Sequence, residues 1–252
     1  MMPTVLTLAI LGVSSLVTSF ISGILGMAGG MILMGILLAM LPLPVAMMLH
    51  GITQLASNGW RAMLWRDKVD WRVFRGYVYG TLTMLAIFAI IRLVVSKPVA
   101  FIVMGITPFI ALLLPEELHL NVERKGQPYA CGFVCTALAL MAGVSGPILD
   151  IFFVRSRMSR HKVVATKAAT QSLTHLLKIG YFGGVVAGEI ELPAWLFASM
   201  VALAFVGTQA SRPVLERMTD GAFRAWTRWT VMTLGLLYLG AGLRLVVPAA
   251  LP

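Results

Sequence analysis

Two sets of four polar residues interrupt an otherwise apolar chain. His50, Gln54, Asn58 and Arg61 form the first and Lys167, Gln171, His175 and Lys178 the second, both spaced four, four and three apart. On an α-helix that spacing puts each set on one face. Amides, imidazoles and cations aligned in this way are donors able to replace the water around a small anion. A glycine-rich interruption precedes each stripe, Gly26-Met-Ala-Gly29-Gly30 and Gly143-Val-Ser-Gly146-Pro147. Glycines, and a proline in a first turn, break a helix and restart it. Restarts are expected after Gly30 and at Pro147. Each restarted end offers unpaired N–H groups and the positive end of a helix dipole, again suited to an anion.

Plainer readings stand beside these. The glycines can serve close helix packing. Arg61 and Lys167, near the ends of their spans, can snorkel to the interface. Gln54, Gln171 and His175 lie deeper and can bond one helix to another. Thr53 and Thr170 adjoin the glutamines, but their hydroxyls can bond back to their own helix. Asp150, three residues after Pro147, either caps the restarted helix or carries a proton with His50 or His175 beside a shared cavity. Lys178 is expected toward the outer side, with Glu189 as an interfacial partner.

Such faces need membrane helices to hold them, and the composition supplies these. Of 252 residues, 59% are hydrophobic and 12% charged, with a mean hydropathy of +0.89. A water-soluble chain carries about a quarter charged residues, so an ordinary cytosolic enzyme, a disordered tail and a secreted disulfide scaffold are poorly supported. The expected surroundings are a lipid bilayer. There a central Lys or Arg costs about 3 kcal/mol on the lenient insertion scale, so the stripes should face each other or a wet cavity. The net charge of +10 is no nucleic-acid footprint, because fifteen of the twenty Lys and Arg fall in four short stretches, 61–75, 124–125, 155–162 and 212–228. These read as cytoplasmic loops. Arg92 and Lys97 fall on the outer side, against that bias. Trp60, Trp65 and Trp71 flank a basic loop as interfacial anchors do. Cys131 and Cys135 read as thiols packed as small apolar groups. The N-terminal apolar run lacks the basic start of a signal peptide and is read as retained.

Unbroken apolar windows lie near 46–64, 76–95, 98–114, 163–187, 194–211 and 225–246; residues 4–41 and 129–154 are apolar but broken. Sliding the chain against itself by 117 residues sets Gly26 on Gly143 and Gly29 on Gly146. It also sets Thr53-Gln54 on Thr170-Gln171, Ser57 on Thr174, Arg61 on Lys178, Met31-Ile32 on Ile148-Leu149 and Leu33 on Asp150. The matched loops carry opposite charge: basic 61–75 falls on 178–192, which after Lys178 holds only Glu189 and Glu191, and uncharged 41–44 corresponds to basic 155–162. Opposite sidedness implies inverted topology. The expected fold is therefore an all-α integral membrane protein of two inverted-topology repeats, each a glycine-broken helical hairpin plus three transmembrane helices. Residues 1–114 form the first repeat, 115–128 a polar linker with Glu116, Glu117, Glu123, Arg124 and Lys125, and 129–252 the second.

The Gly-Met-Ala-Gly-Gly break at 26–30, then Pro44 and the Thr53-Gln54 span, and the second copy at Gly143 to Pro147 with Thr170-Gln171, together resemble the sulfite exporter TauE/SafE family of anion permeases over most of the chain. The second copy departs from the usual glycine-rich form at Pro147, and Asp150 maps onto no family role. The resemblance implies a multi-pass protein of the bacterial inner membrane that moves small sulfur-containing anions such as sulfite or organosulfonates. The expected machine is a secondary transporter whose halves rock about a central site. Gly26, Gly29, Gly30, Gly143, Gly146 and Pro147 would supply backbone contacts, and His50, Thr53, Gln54, Lys167, Thr170, Gln171 and His175 side-chain contacts. Asp150, His50 and His175 are the proton-coupling candidates. A passive anion channel and a non-transporting scaffold subunit are the alternatives. No nucleotide loop, metal spacing or nucleophile elbow is present in the sequence, so no catalytic residue, cofactor or metal is expected. The anion, the direction of transport and a homodimer are left open.

Overall fold

The computed structural model of the protein describes residues 5–115, 118, 120–185, 193–218 and 220–246. Glu116, Glu117, Glu189 and Glu191 lie outside them. The described residues form ten α-helices and no strand: α1 (Val5–Leu25), α2 (Met27–Met40), α3 (Leu43–Leu64), α4 (Trp71–Ile91), α5 (Lys97–Leu113), α6 (Gln127–Ala142), α7 (Gly146–Val154), α8 (Arg160–Gly180), α9 (Ala194–Arg217) and α10 (Asp220–Val246). A 3₁₀ turn, Arg66–Lys68, joins α3 to α4, and a π-helical turn, Tyr181–Val185, extends α8.

Local chemistry explains the boundaries. Proline stands in the first turn of α3, α5, α6 and α7, where its missing N–H costs no helical bond. Asp70 caps α4 by accepting from the N–H groups of Arg72 and Val73, both at 3.0 Å. Between α1 and α2 the whole reversal falls on Gly26, whose φ of 65° disfavours an L side chain. The first restart is therefore at Met27, not after Gly30 as the glycine run suggests; Gly29 and Gly30 are already helical. Gly29 packs α2 on α1, since a Cβ there would strike the backbone of Thr18 and Ser22. The second reversal begins at Gly143, φ 79°, and α7 restarts at Gly146-Pro147.

Four helices are long and apolar enough to cross a membrane: α1, α4, most of α9 and most of α10. The windows read at 46–64 and 163–187 correspond to α3 and α8, which have the length, at 22 and 21 residues, but carry the polar stripes inward. Close packing uses small residues. Gly207 of α9 meets the backbone of Leu16 in α1 and Gly23 of α1 meets Ser211 of α9, while Gly76 and Gly80 of α4 meet Pro128 and Phe133 of α6. From these contacts α1 runs parallel to α9, and α4 parallel to α6. By contrast α3 and α8 are antiparallel, with Gly51 against Lys178 and Ile179 and Gly59 nearest Ser172; α5 and α10 are antiparallel too. Helix α2 is apolar all round and lies in the core, its Met31, Leu33, Met34, Leu37 and Leu38 fully buried.

Three of the four basic stretches meet at one end. Lys162 pairs with Asp70 at 2.8 Å, and the Asp70 N–H donates to Thr166 at 2.9 Å. Arg72 donates to the Glu123 carbonyl, the Arg157 N–H to the Glu123 carboxylate, and Trp65 packs on His161. Trp65 and Trp71 are exposed there as anchors are, whereas Trp60 packs edge-on against Phe205 between α3 and α9. At the other end Lys97 reaches the carbonyls of Ala39 and Leu41. Cys131 and Cys135 are free and buried.

Candidate functional site

The two breaks and the two stripes meet around one cavity of about 600 Å³. From the first half, Gly26, Met27 and Gly30 of the break line it, with His50, Gln54, Asn58 and Arg61 along α3. From the second half come Ser145 and Gly146 of the break, Asp150 of α7, and Lys167, Gln171 and His175 along α8. From His50 to Arg61 the polar face extends about 16 Å, at 1.5 Å per residue. The cavity runs from mid-depth to the basic end, where Ser156, Met158 and Val163 complete its wall. It stops at His175; the next turns of α8 close it. There Tyr181 is buried, its hydroxyl shared between the carbonyls of Phe88 (3.2 Å) and Leu93 (2.8 Å).

Neither restarted helix carries a side-chain cap, so the amides of its first turn are not taken up by a neighbour's oxygen. The two are not equal, because Pro147 removes one donor from α7. Along α3 the polar groups form a directed series: Arg61 donates to the Asn58 amide oxygen at 2.7 Å, and Asn58 donates to the Gln54 amide oxygen at 3.5 Å. Gln54 is thereby left with its NH₂ pointing onward and without a partner, as are Arg61 Nε and His175 Nδ1. Buried donors without partners cost about 1–3 kcal/mol each unless something fills them, and these three line one hollow.

His50 holds the deep wall. Its Nε2 lies 2.9 Å from the Gly30 carbonyl and its Nδ1 2.7 Å from Lys178 Nζ. A carbonyl only accepts, so Nε2 carries the hydrogen and Nδ1 accepts from the lysine. His175 stands edge-on to the same ring, with centroids 5.4 Å apart.

Gly26, Gly30, His50, Gln54, Gly146, Asp150, Lys167, Gln171 and His175 thus share one cavity, among the residues singled out in sequence. Gly29, Thr53, Gly143, Pro147 and Thr170 do not line it. Gly29 is a packing contact, and the hydroxyls of Thr53 and Thr170 bond back to Leu49 and Lys167 of their own helices. The carbonyl of Gly143 instead accepts from Lys178 at 3.1 Å. Asp150 does not cap α7; its carboxylate pairs with Lys167 at the cavity wall. Lys178 is fully buried behind His50, not at an outer interface. Asn58 and Arg61 were recognisable as stripe members, yet their place in the cavity depends on α3 running toward the open end, which spacing does not encode. Among the described residues no cluster of His, Cys, Asp and Glu could hold a metal.

The family model described as "Sulfite exporter TauE/SafE" matches residues 11–238. No curated protein and no solved structure matches the chain.

Proposed function

The chain belongs to the sulfite exporter TauE/SafE family of membrane transporters, and we propose that its cavity carries a small sulfur-containing oxyanion, sulfite or an organosulfonate, across the bacterial inner membrane. One observation carries this reading: Gln54, Arg61 and His175 line a cavity framed by two uncapped helix starts, and each holds a buried nitrogen without a partner. An anion entering there gains charge-assisted hydrogen bonds. Among the described residues the only carboxylate on the wall, Asp150, is already engaged by Lys167. Arg61 therefore remains as uncompensated positive charge.

The chain would function as two inverted repeats, residues 1–114 and 129–252 about the linker 115–128, in a multi-pass arrangement. Antiparallel matching of α3 with α8 and of α5 with α10 supports this, as does the equivalence of the α1–α9 and α6–α4 pairs. The basic end would face the cytoplasm, so the cavity is open inward and closed outward at Tyr181. That closure favours alternating access over a passive channel. Asp150, His50 and His175 share the cavity and are the groups through which a proton would be coupled to the anion.

Thermal unfolding of the purified protein against sulfite, thiosulfate, methanesulfonate and carboxylates tests the substrate class, because a ligand stabilises by RT ln(1 + [L]/Kd). Stabilisation by the sulfur anions is expected, and a flat response to them at millimolar levels would reject it. Proteoliposome flux then tests coupling: concentrative uptake should vanish when the pH gradient is dissipated. Uptake that persists, driven by the anion gradient alone, would identify a channel.

A further inference from the structure

Among the described residues, Lys178 is the one fully buried cation for which the cavity wall has no use. It lies within a helix of the membrane-embedded bundle, its side chain is inaccessible to solvent, and no carboxylate pairs with it among the described residues. Its ammonium is held by the His50 ring at 2.7 Å and the Gly143 carbonyl at 3.1 Å. His50 in turn donates to the Gly30 carbonyl at 2.9 Å. A continuous series of hydrogen bonds therefore joins the helix restart of the first half to the break of the second, and an ammonium sits within it. A cation in low-dielectric surroundings that lacks a counter-charge is costly. The space beside it that can supply an anion is the cavity, one imidazole ring away.

We propose that Lys178 is a positioning and charge-selecting residue for the transported anion: through His50 it holds the two breaks in register, and an anion in the cavity supplies the counter-charge that keeps it protonated, so that doubly charged oxyanions are favoured over singly charged ones. The inference rests on the anion-transport reading above. Lys178 does not touch the anion. His50 forms the wall between them, with the unpartnered His175 Nδ1 and Gln54 Nε2 as the nearby nitrogens still to be filled. The geometry divides the labour between the two cations that end the stripes. Arg61 meets the anion near the mouth, and Lys178 sets how much charge is tolerated at the end of the path.

The test is proteoliposome uptake of thiosulfate, doubly charged, and methanesulfonate, singly charged, by the full chain and its Lys178→Gln and Lys178→Arg variants. Lys178→Gln should raise KM for thiosulfate at least tenfold more than for methanesulfonate, a difference of about 1.4 kcal/mol, while kcat changes less. Lys178→Arg should restore the thiosulfate to methanesulfonate ratio to within about threefold of the parent. Equal KM shifts for the two anions, or no rescue by arginine, would leave Lys178 a purely structural residue and overturn the proposal. Should Lys178→Gln fail to fold, the parent protein supplies the answer: selenate, a doubly charged probe located by anomalous scattering, should lie against His50 between the breaks. Selenate found only at Arg61 and Lys167 would reject the assignment. If the parent transports and binds none of these anions, the transport reading itself fails, a result distinct from an unchanged ratio.

Discussion

The two copies of the break-and-stripe unit put one sequence pattern to different ends. In the first copy the chain reverses on a single residue, Gly26, and all four stripe residues of α3 line the cavity. In the second, the reversal occupies Gly143 to Ser145, the restarted helix loses a donor at Pro147, and the stripe of α8 divides: Lys167, Gln171 and His175 face the cavity while Lys178 turns behind His50. Identical spacing does not confer identical roles. What decides is which end of each helix meets the mouth. Because α3 and α8 are antiparallel, the terminal cation of one lies at the opening and that of the other at the closed end. Under the anion-transport reading, one would admit charge and the other hold it.

Within the first break the two helical glycines differ in what a methyl group would strike. Gly29→Ala forces a Cβ into the backbone of α1 at Thr18 and Ser22, whereas Gly30→Ala meets only the amide end of Gln54, at 3.3 Å. The first should cost about 3 kcal/mol and the second about 1 kcal/mol, the two ends of the overpacking range, read as unfolding midpoints in detergent. Equal losses would remove the distinction between a packing glycine and a cavity-facing one.

The glutamines come next. Gln54 is buried with an unfilled NH₂, and Gln171 is half-buried. Losing a hydrogen bond to a charged group costs roughly 1.5–3 kcal/mol. Gln54→Leu should therefore lower anion flux at constant protein about 100-fold, and Gln171→Leu about tenfold, unless the second stripe is the dominant one. An effect no larger than that at Gln171 is expected at the acid that only the second half carries. Lys167→Gln strands the Asp150 carboxylate on the cavity wall and should weaken anion binding about tenfold, and Asp150→Asn in the same protein should recover most of that, as coupled partners do. Arg61→Gln, whose cation has no acid partner, should gain nothing from Asp150→Asn.

The smallest effect concerns the basic end. Burial pushes the Asp70 carboxyl up, but the Lys162 ammonium at 2.8 Å and the Val73 and Arg72 N–H groups outweigh it and hold the group below the usual carboxylate range. A carboxyl lowered by folding contributes stability above its unfolded pKa, about 4, and that contribution disappears as pH falls through the lower, folded value. Asp70→Asn retains the cap and loses the charge. It should lower stability by roughly 0.5 kcal/mol at pH 7, since the lysine is solvent-exposed. Once the pH has fallen below the folded value, the variant and the parent should unfold together.

Much of this was legible in the sequence because hydrocarbon leaves few options. The composition demanded membrane helices, the glycines located both reversals, and the spacing of His50, Gln54, Asn58 and Arg61 defined a face before any coordinate did. What was not legible depends on partners far along the chain. Gly29 looked like a ligand-facing amide because a glycine required by Thr18 and one required by a substrate look alike in sequence. Asp150 read as a cap because only packing brings Lys167, seventeen residues on, to its carboxylate. Lys178 read as an interfacial cation because nothing local announces His50, 128 residues away, as its acceptor.

Helix α8 is fastened to α4 at three heights: Thr166 and Lys162 at Asp70, Thr174 at the Tyr77 hydroxyl (2.7 Å), and Tyr181 at Phe88 and Leu93. Helix α3 is fastened in turn to α9, through Ser57 and Thr208 at 2.9 Å and through Trp60 and Phe205. Two stiff planks result. The seam along which they can shear is the α3–α8 contact, smoothed by Gly51 and Gly59 and bridged by the bond from Lys178 to His50. Among the described residues a single imidazole thus bolts one plank to the other, and under the alternating-access reading the stroke would turn on when that bolt is drawn.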